Sequence, residues 1–352
     1  KDWSVDREAV EEHAKTPGSA FSHGLPAVSD GQMLFLAHCA SKLRAAGPGG
    51  QGGRAAVVSN GSPLFTGGPG SGPDSIRAWL LAETDLVDAI IALPTNIFYG
   101  TGIATYVWIL DTNKEPRRKG KIQLINGLDA WSPMQKGMGE KRREMGEADR
   151  KTILEAYAAF EDSEISKIVT AADLGYRDVP VQRQRRLSVK VTDEAVLEAM
   201  SHKDADVEHA ALIEALDGPW NALPARIKAE AKKRGVRVSV GLIDAIMQAV
   251  GVDDETAPPA VNRLGKPVLV EGSKLTERVA LSEDVVEHME REVLPFAPNA
   301  VWDESASKVG YEIPFTRLFY KPTPLRSLEE IDADVSEVMR SLGEKFKAVH
   351  GE

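Results

Sequence analysis

One cysteine, Cys39, in 352 residues leaves no partner for an intramolecular disulfide and no four-cysteine zinc site. It sits in the apolar Met33–Leu43 stretch and reads as a small buried hydrophobe. The seven histidines are scattered, with no His-Glu-x-x-His pair and no cysteine companion, so no metal centre is expected. The absence of a Gly-x-Ser-x-Gly elbow argues against a serine hydrolase. No apolar run approaches the roughly 20 residues that cross a bilayer. No secretory leader stands at the start either, where Lys1-Asp2-Trp3 reads as a cut or processed end. Positive charge is short as well: 43 Lys and Arg face 53 Asp and Glu, a formal charge of −10. That excludes a generic nucleic-acid coat, which needs clustered cations, but leaves room for a locally basic face.

What is present is concentrated in Leu86–Leu110. A buried apolar run, Val87–Leu93, ends at Pro94. The loop Thr95-Asn96-Ile97-Phe98-Tyr99-Gly100-Thr101-Gly102 follows, and a second apolar run, Ile103–Leu110, leaves as a strand. Two strands joined by an aromatic, glycine-closed loop suit a site that grips a flat ring. Around this pair the pattern predicts a helix over Gly31–Leu43 with Asp30 as its N-cap. It also predicts a glycine-rich turn at Gly47–Gly53, a strand over Arg54–Ser59, a helix over Ile76–Thr84 and a strand over Ile122–Asn126. Strands and helix in that order make the second half of an open α/β sheet.

From Glu147 the character changes. Helices are expected over Ala148–Phe160, Ile165–Val169, Val191–Met200, Val207–Leu216, Pro219–Arg234, Val240–Val250 and Ser282–Glu292, the last capped by Ser282. Thr256–Gly272 reads as a loop or short hairpin. Leu328–Val349 is a terminal helix with Ile331, Val335, Val338, Leu342 and Phe346 on one stripe, placed to be an interface.

Three motifs bear on chemistry. Gly67–Gly72 precedes a helix, as a phosphate cradle does, but lacks the Gly-Lys-Ser/Thr ending and reads as a flexible connecting loop. Phe98 and Tyr99 are either strand-end packing or a stacking platform, since Gly100 and Gly102 let a base approach closely. The basic segments Arg117–Lys121 and Arg177–Arg186 are solvated surface or, in an acidic chain, the best candidates for phosphate contact.

The stretches VSDGQMLFLAHCASKL, GRAAVVSNGSPLFTGGPGSGPDSIRAWLL, DLVDAIIALPTNIFYGTGIATYVWIL and RRKGKIQLINGLDAWSPM resemble the catalytic half of the modification (M) subunit of type I restriction–modification systems. FEDSEISKIV, GYRDV and VGYEIPFTRLFYKPTPLRSLEEIDADV carry the likeness onward. That family transfers methyl from S-adenosylmethionine to adenine N6 in DNA. The resemblance implies an α/β fold, the second half of a Rossmann-like methyltransferase sheet followed by a mainly helical carboxyl-terminal domain. Residues 1–146 are then a partial catalytic domain, 147–327 the helical domain with a basic segment, and 328–352 the interface helix. The family's cofactor loop and its Asn-Pro-Pro-Phe/Tyr tetrad do not occur in the sequence, so the chain resembles an amino-terminally truncated M subunit.

Carried over residue by residue, Phe98 falls at the position that stacks on the flipped adenine, with Tyr99 beside it. Asp30, Gln32 and Phe35 fall in the motif that backs the cofactor pocket, and Asn60 faces the same crevice. The implied partners are double-stranded DNA, a specificity subunit, a second M subunit and a restriction subunit, in the cytoplasm and without a membrane. The alternative is a non-catalytic interaction module that docks on the specificity subunit. A phosphate-binding protein built on Gly67–Gly72 is a third reading.

Overall fold

The structure, a computed structural model, describes residues 2–47, 51–320 and 326–350, with side-chain surroundings as far as residue 346. Residue 1, residues 48–50 of the expected 47–53 turn, residues 321–325 of the last family stretch and residues 351–352 lie outside the described residues. Two compact units are present, one up to Ile313 and one from Pro314 onward.

The first seven strands are β1 (Arg54–Ser59), β2 (Val87–Leu93), β3 (Thr105–Asp111), β4 (Ile122–Asn126), β5 (Ser132–Met138), β6 (Lys141–Glu144) and β7 (Ser166–Val169). Five of them form one sheet in the order β1-β3-β2-β4-β7. β2 lies at its centre because Val87, Ala89, Ile90 and Ala92 can be covered on both faces, and all four are fully buried. Only β2 and β4 run parallel; β3 returns antiparallel between β1 and β2. The Gln32–Lys42 helix lays Met33, Leu34, Leu36, Ala37 and Ala40 inward and touches β1. Cys39, on the flank of that helix, is half-buried rather than buried.

Several expectations need correction. Ile165–Val169 is not a helix: Ser166–Val169 is an edge strand, paired antiparallel with β4 from Ile122↔Val169 to Ile125↔Ser166. A run this short and rich in β-branched residues gains more from the open β4 edge than from an isolated helical turn. The Glu147–Ala159 helix packs on β4, with the Ile153 side chain against Gly127. Residues 147–169 therefore belong with the first sheet rather than with the elements after Val169.

Beyond Val169 the chain is not mainly helical. β8 (Gly175–Arg183), β9 (Leu187–Val189), β10 (Gly251–Asp253), β11 (Leu275–Ala280), β12 (Ala300–Trp302) and β13 (Lys308–Tyr311) complete the strands. β8 is central in a second sheet, with β11 on one side and both β12 and β13 on the other. β8 is hard to read as a central strand because it contains Pro180. That residue falls between the stretches covered by β13 (Gly175–Asp178) and β12 (Val181–Arg183), where a missing N–H removes no ladder bond on that side. The short helix after β11 is capped by Asp284, whose carboxylate accepts from Val286 N and Glu287 N, and not by Ser282.

The expected helices between β9 and β10 form a body of their own. Asp193–Met200, Val207–Glu214, Leu223–Arg234 and Val240–Val250 close around Leu212, Ile213, Leu223, Ile227, Leu242 and Ile246. The chain leaves β8 for this body and comes back beside its exit: Arg185 N donates to Val268 O and Val270 N donates to Arg183 O.

One buried ion pair fastens the two sheets together. Arg77, fully buried, donates through Nε to Tyr311 O at 2.6 Å, and through Nη1 to Thr66 O at 2.7 Å and Pro63 O at 3.3 Å. Its Nη2 donates to Gly67 O at 3.2 Å and stands 3.6 Å from Asp74 Oδ1. Asp74 in turn accepts from Gly70 N at 2.9 Å and Tyr311 N at 2.7 Å. Gly67–Gly72 is therefore a pinned loop, not a flexible connector and not an anion cradle.

The second unit carries a Phe315–Leu318 turn and the Leu328–His350 helix. Ile331, Val335, Val338 and Leu342 are exposed along that helix.

Breaking a buried pair strands its partner charge, so Arg77→Met is expected to destabilise the protein by about 3–5 kcal/mol in urea unfolding. A loss below about 1 kcal/mol, the range of an exposed pair, would refute this role. His288 gives a pH signature. Burial pulls its pKa down, but hydrogen bonds with Glu277 and Glu283, at 3.1 and 3.0 Å, outweigh that and leave it raised. A raised pKa contributes stability below the unfolded value, about 6.5, and loses it as pH rises through the folded value. The stability gap between the native protein and His288→Gln should therefore narrow above about pH 6.5. A gap constant with pH in urea melts contradicts it.

Candidate nucleic-acid site

The register brings the sequence-predicted residues to one edge of the first sheet. β1 ends at Ser59 opposite Tyr106, β2 ends at Leu93 opposite Thr105, and Ala92 lies level with Asn126 of β4. Asn60 and the Thr95–Gly102 loop thus emerge from the same end, the carboxyl edge of β1, β2 and β4. Open α/β sheets place their binding crevices at that edge.

Asp30, Gln32 and Asn60 are one hydrogen-bonded chain. Asp30 Oδ1 accepts from Gln32 N at 3.2 Å and Gln32 Nε2 at 2.9 Å. Gln32 Oε1 accepts from Asn60 N, and Asn60 Oδ1 from Ser62 N, each at 2.8 Å. Gly31, not Asp30, occupies the N-cap of the Gln32–Lys42 helix, although Asp30 still satisfies the Gln32 amide. Burial raises the Asp30 pKa, but donation from Gln32 and Ser62 outweighs it and leaves the carboxyl below its ordinary value. Behind Asn60, Trp108 Nε1 donates to Ser59 Oγ at 3.1 Å, and the Ser59 hydroxyl donates to Asn60 O at 2.8 Å. Phe35 is not drawn into this chain; its ring is 62% exposed.

The aromatic loop is held by elements absent from the sequence-based expectations. β5 and β6 form a hairpin whose turn, Gly139-Glu140, lies against the loop. Asn96, in the left-handed region at φ 59°, turns its carbonyl to accept from Arg142 N at 2.9 Å and Arg143 N at 3.1 Å. Its side-chain amide donates to Glu140 O at 3.0 Å. Tyr99 O accepts from Glu140 N at 3.0 Å, and Thr95 Oγ1 from Arg143 Nη1 at 2.7 Å. The Arg143 guanidinium lies 3.7 Å from the Trp131 ring centroid, a cation–π contact that fixes it. Gly139, at φ 58°, is required twice: a Cβ there would meet Tyr99 O at 2.7 Å and its ring at 2.9 Å. Phe98 and Tyr99 remain 37% and 67% exposed. A rigid loop that presents aromatic faces is what a stacking platform requires, since the ordering entropy is met before any base arrives. The signal in the sequence was the glycine in Met138-Gly139-Glu140-Lys141, the residue type a two-residue hairpin turn selects.

The predicted basic segments do not form such a site. A polar cleft of about 690 Å³ opens at the opposite edge of the sheet, lined by Arg54, Asp88, Asp111, Arg117, Arg118 and Tyr157 among others. Most of its cations are already matched, Arg54 by Asp111 at 3.0 Å. Arg118, buried, pairs with Asp88 at 3.3 Å, and Arg117 pairs with Glu115 at 2.8 Å and donates to the Ala158 and Ala159 carbonyls. Burial and the Asp88 carboxylate push the Tyr157 hydroxyl up to about 12. In the other segment Arg177 pairs with Glu304 and Arg185 with Asp253. No group of three or more potential metal ligands converges among the described residues. No helix among them is long and apolar enough to cross a membrane.

Residues 2–195 match the family N-6 DNA Methylase, more than half the chain, and the chain belongs to that family. Among curated proteins it is similar to the type I restriction enzyme MjaVII methylase subunit of Methanocaldococcus jannaschii, 34% identical over 124 residues. That match covers 35% of this chain and 20% of the relative. The MjaVIII methylase subunit of the same organism is 27% identical over 144 residues, covering 41% and 24%. The matched region thus spans about a fifth to a quarter of these relatives. Among solved structures, a type I restriction-modification methyltransferase subunit from Streptococcus thermophilus aligns with 27% identity and a TM-score of 0.39, over 48% of this chain and 32% of that one. The likeness to type I modification subunits drawn from the sequence motifs recurs in the two curated relatives.

Asn96→Ala removes one hydrogen bond and places a residue less tolerant of left-handed backbone at φ 59°. A net hydrogen bond is worth about 1 kcal/mol and such strain about 1 kcal/mol or more. Amide exchange at Arg142 and Arg143 should then accelerate by roughly tenfold or more, and less in Asn96→Gly. Equal protection in all three proteins would show that the hairpin does not hold the loop.

Proposed function

We propose that the chain forms part of the catalytic half of a type I modification subunit that methylates adenine N6 in DNA from S-adenosylmethionine. The observation that carries this reading is the pinned Thr95–Gly102 loop, which exposes Phe98 and Tyr99 at the same sheet edge as Asn60. Membership in the N-6 DNA methylase family supplies the chemistry it serves.

In this reading residues 1–146 hold the second half of a Rossmann-like sheet. Support comes from β1, an edge strand beside which Phe35, Val58 and Phe65 stand exposed, an apolar surface suited to cover by the rest of such a sheet. The second domain, expected over 147–327, begins after Val169, because 147–169 pack with the first sheet. The 328–352 helix acts as the interface, its exposed Ile331, Val335, Val338 and Leu342 suited to a helical partner such as the specificity subunit. A second M subunit, a restriction subunit and duplex DNA complete the assembly, in the cytoplasm.

The cofactor's fit can be judged from the Asp30–Gln32–Asn60 chain. Gln32 uses one donor and one acceptor site within it, which fixes its amide and leaves a second N–H to face the cofactor. Asn60 Nδ2 has no partner among the described residues, and the Asp30 carboxyl is held ionised. An anionic acceptor and a free amide donor fit the polar groups of S-adenosylmethionine as a backing wall. When bound, the cofactor supplies the methyl group. Phe98 stacks on the extruded adenine, Tyr99 flanks it, and the hairpin keeps both from moving, so that N6 is held in one orientation.

The test is Phe98→Ala in an assembly containing this chain. Stacking on one base is worth about 1–3 kcal/mol, so methyl transfer to adenine should fall by roughly 5- to 150-fold. Affinity for S-adenosylmethionine, measured by calorimetry, should change little. An unchanged methylation rate would remove Phe98 from the site.

A further inference from the structure

Of the cations that sequence reasoning offered to DNA, Arg117, Arg118, Arg177 and Arg185 are paired inside the protein, whereas the hairpin that holds the aromatic loop places further cations beside the candidate site. Between Ser132 and Glu144 stand Lys136, Lys141, Arg142 and Arg143 against Glu140 and Glu144. Arg142 turns back to the Gly139 and Lys141 carbonyls, and Arg143 is occupied by Thr95 and Trp131. Lys136 is exposed, and neither it nor Lys141 forms an ion pair among the described residues. Lys141 follows Glu140, whose amide bonds the Tyr99 carbonyl, so the Lys141 backbone is anchored next to the loop that bears Phe98.

The geometry points to the Ser132–Glu144 hairpin as a contact for the DNA backbone, with Lys136 and Lys141 meeting phosphates that flank the base stacked on Phe98. This rests on the adenine-methyltransferase reading above. Extruding a nucleotide rotates its backbone, and the flanking phosphates must be gripped for the base to stay out. Phosphate contacts fix register without reading sequence, which suits a surface of lysines rather than of bidentate groups. Because the hairpin is hydrogen-bonded to the loop at both Asn96 and Tyr99, the same element that grips the backbone sets the position of the stacking rings.

Anisotropy of a labelled DNA duplex with a mismatched adenine, titrated with the full chain across a salt series, tests this. Each phosphate contact contributes roughly 0.9 to the slope of log K against log salt, so Lys136→Ala/Lys141→Ala should lower the slope by about 1.8 and weaken binding. Lys136→Arg/Lys141→Arg should keep the slope. Lys228→Ala/Lys232→Ala, on the exposed face of the Leu223–Arg234 helix, is the charge-matched control and should also keep it. If the hairpin and control variants bind alike, with the native slope, the hairpin contact is overturned and the methyltransferase reading stands. If the unsubstituted chain shows no salt-dependent binding of the duplex, the contact and the DNA reading fall together. Circular dichroism checks that each variant is folded.

Discussion

The arrangement of the first unit depends on a single guanidinium that no water reaches. Arg77 gathers carbonyls from Pro63, Thr66, Gly67 and Tyr311 and sits beside Asp74. Those oxygens lie at the ends of short elements and in the loop between them: Pro63 in the one-turn Ser62–Phe65 helix, Thr66 and Gly67 just after it, and Tyr311 at the end of β13. Without the guanidinium they would be buried acceptors with no donor, each at a cost of about 1–3 kcal/mol. The arginine therefore supplies donors where short elements end. It ties the loop after β1 to Tyr311 of β13, 234 residues beyond Arg77 in the sequence. The candidate site sits on this frame, because Asn60 leads directly into the segment whose carbonyls Arg77 holds.

Much of the first sheet was legible because its strands obey local rules. Val87–Leu93 is an apolar run bounded by Pro94, and Arg54–Ser59 is bounded by glycine and Asn60-Gly61. Val240–Val250 shows a clear helical stripe, and the observed helix has those bounds. Where the reading failed, the deciding contact was distant. Ser166–Val169 is a strand only because β4 offers an edge. β8 tolerates Pro180 only because its two partners on one side leave a gap there. Neither edge nor gap can be seen within a window of ten residues.

The site divides in the same way. Phe98 and Tyr99 stood out as adjacent aromatics just before two glycines, and the Asp30–Gln32–Asn60 grouping emerged through family resemblance. The structure joins the last three by hydrogen bonds. Phe35 is exposed because it lies off the buried stripe of its helix. The hairpin that makes the loop rigid left only the Gly139 turn as a signal, since Ser132–Glu144 is almost wholly exposed and carries no hydrophobic period. Its structure comes from backbone bonds to Asn96 and Tyr99, and such bonds leave no compositional trace.

The four-helix body between β9 and β10 joins the second sheet beside two neighbouring backbone bonds, Arg185 to Val268 and Val270 to Arg183. Its core takes no residue from that sheet, whose own apolar cluster is separate. Such a graft has a narrow neck. The loop-closure cost of its presence grows only with the logarithm of its length. The sheet can thus accept bodies of very different size at this position and keep its register. Here the architecture permits variation in what the protein displays without a new solution for how it folds.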